Sequence, residues 1–359
     1  MSKPGLFDRE FRVGRFGFLG RRLLKNLGSE WRIGFVPREP LMLNRRVQQA
    51  SKQGETTMHL LISLTQMVVL AVALLLGQLA TVHAQPDTEP MGGELFGHSV
   101  KDLGDGLYVF RWWVYRNIFL VTDDGVIVTD PMNPKAADLL RAEIRKITDQ
   151  PVKFVLYSHN HHDHISGGAI FKKEGATFIG HANVLKELGD HPDPMTPLPD
   201  ITFEDTYTLE LGDRKVVLEY FGPNHGNSLA VMRLPKEKIL FIVDIVTPRR
   251  VAFRMMPDFW PDEWVRTLKE IEATDFDYVI SGHGPPNEPA IDPASVVADQ
   301  RIYIEDLMAA VKQEMDDGTH SPDKLRQIVR LPQYAHWRSY EEWLPMNVER
   351  IWAFYHMGW

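Results

Sequence analysis

Ser158-His159-Asn160-His161-His162-Asp163-His164 directly follows a run of strand-forming residues, Lys153–Ser158. Four His and one Asp within six positions is not an ordinary surface composition. Crowded imidazoles repel once protonated, and a bound cation relieves that repulsion by taking the neutral rings as ligands. Side chains alternate along an extended segment, so His159 and His161 project to the same side and can grip one ion. A turn after them presents Asp163 and His164 to a second ion. His162 falls between these positions and is read as a residue beside the site.

The remaining ligands are expected as isolated His or Asp residues in turns after later strands. Three positions fit: His225 in Gly222-Pro223-Asn224-His225-Gly226, Asp244 at the end of Ile239-Leu240-Phe241-Ile242-Val243, and His283 in Ser281-Gly282-His283-Gly284. Each alone is a weak signal, since a His between glycines is a common turn residue and an acid at a strand end is often a cap.

Working outward, strand patterns cover Leu107–Arg111, Asn117–Thr122 and Gly125–Thr129, with Asp123-Asp124-Gly125 as a hairpin turn. A helix is predicted over Pro134–Ile147, with Ala136, Leu139, Leu140, Ile144 and Ile147 on one face. Strands follow at Thr177–Ile179, Lys215–Phe221, Ser228–Leu234, Lys238–Val243 and Tyr278–Ser281, with helices at Asn183–Leu188 and Asp262–Ala273. From Ala294 onward the pattern is helical, with breaks near Gly318 and Pro332. Strand groups carrying helices on their outer faces predict a layered α/β domain.

The order and context of these residues resemble the metallo-β-lactamase superfamily. Its His-x-His-x-Asp-His run matches His159, His161, Asp163 and His164, and its later His, strand-end Asp and Gly-His match His225, Asp244 and Gly282-His283. The resemblance spans about Leu103 to Pro286. It implies a four-layer αββα sandwich over residues 85–290, with a C-terminal helical extension over 291–359. It also implies a dinuclear site in which His159, His161 and His225 hold one divalent ion. Asp163, His164 and His283 hold the other, and Asp244 bridges them.

A carboxylate at 244 is similar to hydroxyacylglutathione hydrolases, lactonases and arylesterase-like members, whereas β-lactamases of the superfamily usually carry Cys or a non-bridging residue there. Ile245-Val246-Thr247-Pro248 departs from the Tyr that lactonases place shortly after the bridging Asp. The implied reaction is hydrolysis of an ester, lactone, thioester or lactam by a metal-bridging hydroxide, with Asp163 as the catalytic proton carrier. Imidazole and carboxylate ligands suit zinc, with manganese, iron or cobalt as other fits. The alternatives are a mono-iron enzyme like the persulfide dioxygenases, and a β-lactamase. Arg249, Arg250 and Trp260, in the loop after Asp244, are the expected substrate contacts. Trp112 and Trp113 are candidates for the mouth. Trp337, Trp343, Trp352 and Trp359 are expected to pack onto the sandwich or a partner subunit.

Composition bounds the rest. The chain of 359 residues has no Cys, which excludes disulfides, thiolate metal sites and a Cys nucleophile. The first 84 residues hold 12 Lys and Arg against 5 Asp and Glu; the remainder holds 28 against 43. So acidic a body is a poor general binder of nucleic acid, and a small-molecule substrate is expected instead. Met67–Gly77 is an unbroken apolar run, followed by Val82-His83-Ala84. Residues 58–84 therefore read as a signal peptide or an N-terminal membrane anchor, and the product as periplasmic or secreted, with membrane contact only through that anchor. Residues 1–57, Arg-rich and Gly-rich without a period, read as an upstream extension rather than a separate domain.

Overall fold

The computed structural model describes residues 97–358, so the readings of residues 1–57 and 58–84 and of Trp359 lie outside the described residues. The first sheet contains β1 (His98–Asp102), β2 (Leu107–Trp112), β3 (Tyr115–Thr122), β4 (Gly125–Thr129), β5 (Val152–Leu156), β6 (Thr177–His181) and β7 (Ile201–Phe203), in that spatial order. Its first four strands pair antiparallel and the rest parallel. The second sheet runs β13 (Asp292–Pro293), β12 (Tyr278–Ser281), β11 (Ile239–Ile242), β10 (Ala230–Leu234), β9 (Arg214–Tyr220) and β8 (Thr206–Leu211). Its pairings are antiparallel except between β11 and β12.

Alternation along each strand assigns residues to layers. Leu107, Val109, Ile118, Leu120 and Ile127 of the first sheet meet Leu218, Ala230, Met232, Ile239 and Phe241 of the second in a core between the sheets. The intervening residues Phe110, Phe119, Val126 and Val128 point the other way, onto α1 (Pro134–Ile147) and the short α3 (Ala169–Lys173) and α4 (Ala182–Asp190). Val231, Leu240 and Ile242 face outward from the second sheet onto α5 (Pro261–Glu272) and α6 (Ser295–Asp316). Because both sheets are buried on both faces, their strands read as nearly continuous apolar runs. The result is the metallo-β-lactamase fold, an αββα sandwich with a C-terminal helical region.

Local signals explain the helix ends. Asn133 caps α1, its side chain accepting from Ala136 N at 3.1 Å, with Pro134 at the first helical position and Arg145 and Lys146 in the last turn. In α5, Trp264, Leu268 and Ile271 recur at helical spacing and are buried, and Trp264 Nε1 donates to Ile245 O at 2.9 Å. The predicted breaks at Gly318 and Pro332 separate α6 from α7 (Pro322–Ile328) and from α8 (Tyr340–Met357). The edge strands β1, β7, β8 and β13 were not expected; β1, β7 and β13 are only 5, 3 and 2 residues long, whereas β8 alternates Tyr207, Leu209 and Leu211 with polar residues and carried a strand pattern that the sequence reading passed over. Among the described residues no helix is long and apolar enough to cross a membrane.

Candidate metal centre

The His-rich segment begins where β5 ends. Ser158 N donates to Asp130 Oδ1 at 2.8 Å, and Ala230 N donates to Ser158 O at 2.9 Å, so the segment is fastened to β4 on one side and β10 on the other. Asn160 and Ser228 bond each other twice, the Ser228 hydroxyl donating to Asn160 Oδ1 at 2.7 Å. A single helical turn, α2 (His162–Ile165), then swings Asp163 and His164 away from the line of His159 and His161.

Asp244 leaves β11 with a φ of 60°, a left-handed conformation that a non-glycine residue adopts only when its surroundings enforce it. That turn aims its carboxylate at the imidazoles. Asp244 Oδ2 lies 3.1 Å from His159 Nε2, 3.4 Å from His164 Nε2 and 3.4 Å from His225 Nε2, and Oδ1 lies 2.6 Å from His283 Nε2. His283 is carried by the turn after β12, which pairs with the start of β3: Gly284 N donates to Val114 O and Arg116 N to Gly282 O, each at 2.8 Å.

Two sets of potential ligand atoms result, each within 4.8 Å of one another: His159, His161, His225 and Asp244 in one, Asp163, His164 and His283 in the other. All seven residues expected from the sequence as metal ligands are thus brought together. The donor set also fits cations chemically. His159 Nε2 is buried and near Asp244 but off any hydrogen-bond axis, and His164 Nε2 and His283 Nε2 sit 3.2 Å apart. Protons on both nitrogens could not share that gap, and a divalent ion among these rings and the Asp244 carboxylate would take their lone pairs together.

Electrostatics follow from burial and from Asp244. Burial drives His159 down to about 3, keeping that ring neutral and able to ligate. Burial also opposes charge on His164, but Asp244 and Asp163 outweigh it and push His164 up to about 9. Burial alone would raise Asp244; His164 and His283 instead hold it well below the usual carboxylate range. Asp163 is likewise held low by His164 against its own desolvation.

Two residues escaped sequence reasoning. Asp130 ends β4 as Asp244 ends β11, and that shared position was its only signal. It is fully buried beside His164, and desolvation raises its carboxyl to about 6. Tyr115, from the start of β3, stands with its ring 4.9 Å from His283 and 5.6 Å from His164; burial, Asp163 and Asp244 push its phenol up to about 12.

The cluster forms the floor of a cavity of about 850 Å³. Its wall contains Arg250, Phe253, Arg254 and Phe259 of the loop after Asp244, and Trp337, Tyr340 and Trp343 of the C-terminal region. Of the three expected substrate contacts, Arg250 lines the cavity, and its guanidinium lies 5.3 Å from the centre of the Trp343 ring. Arg249 does not line it: its guanidinium is turned onto Asp292 at 2.8 Å and Glu288 at 3.3 Å. Trp260 precedes α5, is 50% exposed, and is not part of the lining either. Trp337 and Trp343 pack in the helical core on the second sheet, as expected, and both also line the cavity, which was not expected. Trp352 packs against the helical core on the second sheet. Trp113 stacks on Trp112 at 4.7 Å, and neither lines the cavity.

The family model described as the metallo-beta-lactamase superfamily matches residues 111–283. The chain is 24% identical over 199 residues to the 2,4-dinitroanisole O-demethylase subunit alpha of Nocardioides sp. (strain JS1661), covering 55% of this chain and 57% of that protein. It is 24% identical over 198 residues to the metallo-beta-lactamase type 2 of Elizabethkingia meningoseptica, covering 51% and 78% respectively. Among solved structures, a metallo-beta-lactamase from Pontibacter korlensis superposes with a TM-score of 0.52 at 17% identity, over 58% of this chain and 99% of that one. The matched stretch thus spans little more than half of the demethylase subunit. The stretch that matches the metallo-beta-lactamase superfamily model runs from β2 through the turn that carries His283, so it takes in all seven candidate ligands and most of the αββα sandwich.

Proposed function

We propose that the protein is a dinuclear metal-dependent hydrolase, with zinc as the expected ion. The bond attacked belongs to an ester, lactone, thioester or lactam carrying a bulky apolar group. One observation supports this reading above the rest: two groups of potential ligand residues, one containing Asp244 and the other meeting it through His164 and His283, lie on the floor of a cavity with an aromatic wall. Two divalent ions, when bound, supply a nucleophile from water near neutral pH and polarise the attacked group.

The chain's own residues do the rest. Asp244 offsets the charge of both ions. Asp163, exposed to the cavity and held ionised by His164, accepts a proton and passes it to the leaving group. Tyr115 keeps its phenolic proton at neutral pH and is a hydrogen-bond donor beside His283 and His164. Phe253, Phe259 and Trp343 exclude water and seat the apolar part of the substrate.

In this reading the domain acts on a small molecule outside the cytoplasm, without nucleic acid, and touches the membrane only through its N-terminal stretch. The test is metal analysis of the purified protein, together with a panel of aryl and alkyl esters, lactones, thioesters and lactams. Two zinc-like ions per chain and a chelator-sensitive hydrolysis are expected. One iron per chain with no hydrolysis points to the mono-iron alternative, and a marked preference for lactams points to a β-lactamase.

A further inference from the structure

Asp258 lines the cavity but belongs to neither ligand set. Its Oδ2 lies 3.1 Å from His161 Nε2. The backbone carrying it is strained and well anchored. Asp258 has a φ of 65°, and Arg254 and Met256 just before it are also left-handed, at 45° and 47°. Gly226 N, next to the ligand His225, donates to Asp258 O at 2.7 Å. A Cβ on Gly226 would come within 2.8 Å of Asp258 Oδ2, so glycine there leaves room for the carboxylate. Phe259 then pairs with His225 as an antiparallel bridge and lays its ring 4.0 Å from the His225 ring. The loop is fastened from behind by α8: Asn347 Nδ2 donates to Ala252 O at 3.0 Å, and Arg350 donates to Phe259 O at 2.6 Å.

We infer that Asp258 is a positioning residue for the metal ion held by His159, His161 and His225, acting by fixing the tautomer of His161. This rests on the metal-centre reading above. A carboxylate can only accept, so the His161–Asp258 bond places the ring proton on Nε2 and leaves the lone pair on Nδ1. His159 has a partner on its other nitrogen as well, Ser158 Oγ at 2.9 Å from Nδ1, but a hydroxyl both donates and accepts and so orients that ring without choosing its tautomer. A ligand ring whose second nitrogen is held by a carboxylate is both oriented and made more basic. The loop after Asp244 therefore does more than shape the wall: through Asp258 it ties the C-terminal helices to the metal floor.

The test compares the wild-type protein with Asp258→Gly and Asp258→Asn. Glycine removes the carboxylate and accepts the positive φ without strain, so the fold is retained, as a melting curve verifies. Asparagine keeps an oxygen that accepts from His161. Long-range 1H–15N NMR of the metal-free protein at a pH of about 9 reads the tautomer directly. Zinc competition with a chromophoric chelator reads affinity for the first ion. The wild-type His161 is expected as the Nε2–H form, with that signature lost in Asp258→Gly and kept in Asp258→Asn. First-ion affinity is expected to fall about 10- to 100-fold in Asp258→Gly and to recover in part in Asp258→Asn. An Nδ1–H form in the wild type, or an unchanged first-ion affinity in Asp258→Gly, overturns the inference while leaving the metal centre standing. A wild-type protein that takes up no divalent ion overturns the metal-centre reading and this inference with it.

Discussion

The floor and the wall of the cavity are built in different ways. The floor consists of side chains at strand ends: Asp130 after β4, the His run after β5, Asp244 after β11 and His283 after β12. Each strand is locked in a sheet buried on both faces, so its end is placed to within the precision of a hydrogen-bonded ladder. The wall comes from a loop and from helices outside the sandwich, joined by bonds between distant positions such as Arg338 N to Arg249 O at 2.8 Å. A floor of this kind specifies chemistry, and a wall of this kind specifies what the chemistry acts on. Changes to the floor should abolish function; changes to the wall should redirect it.

The sharpest way to break that division is Asp244→Asn, which keeps shape and removes charge. Loss of affinity mainly for the second ion is expected, with hydrolysis falling about 100-fold or more, because the nucleophile depends on both ions. Elemental analysis and turnover together check this. Two tightly held ions and near-normal rates would reduce Asp244 to a strand-end cap and make lactams the leading substrates.

His159→Ala and His162→Ala divide the His run itself. His159 is fully buried in the cluster, whereas His162 is exposed on α2. The first substitution is expected to remove metal and activity, and the second to leave metal content unchanged, as measured by elemental analysis. Metal retained in His159→Ala would mean that the ring is only a core side chain.

Asp130 gives the floor a pH signature in the metal-free protein. Its carboxyl is raised to about 6 in the folded chain by burial, above the ordinary 3.8. Through that window the native state holds the proton that the unfolded chain has released. Its stabilising contribution is therefore complete below about 4 and is lost as pH rises through 6. The full loss is about 3 kcal/mol as an order of magnitude. Melting temperatures of wild-type and Asp130→Asn proteins, measured without metal from pH 4 to 8, should diverge in that interval. Parallel curves would show that Asp130 does not titrate there.

The smallest effect belongs to the wall. Phe253 is 42% exposed and meets Trp343 edge-on, with ring centres 5.2 Å apart. Phe253→Ala is expected to weaken kcat/KM for a bulky aryl ester about fivefold, corresponding to about 1 kcal/mol, with little change for a small ester. Metal content and stability should stay the same. Equal losses on large and small substrates would mean that Phe253 supports the floor instead of selecting the substrate.

The sequence by itself determined most of the floor. Seven candidate ligand residues were legible because a metal site needs particular side chains, and these follow strands that apolar runs mark out locally; Asp130, a lone acid after β4, was not. The helix from Pro134 to Ile147 was legible to its last residue, because Asn133, Pro134 and the closing Arg145 and Lys146 are all local signals. Only the tertiary structure decided the wall. Arg249 and Arg250 are adjacent and chemically alike, and nothing local tells which faces the cavity. The choice is made by Asp292 and Glu288, which take Arg249, and by the bridge from Arg338, which sets the register of the loop. Trp343 reads as an ordinary helix-packing residue until α8 is laid against that loop, and Asp258 is one acid among many until its backbone is bent onto His161. The Arg249 ion pairs span 43 and 39 residues, and the contacts of α8 with the loop and of Asp258 with His161 span 91 to 97; such separations leave no periodicity or spacing from which to read them.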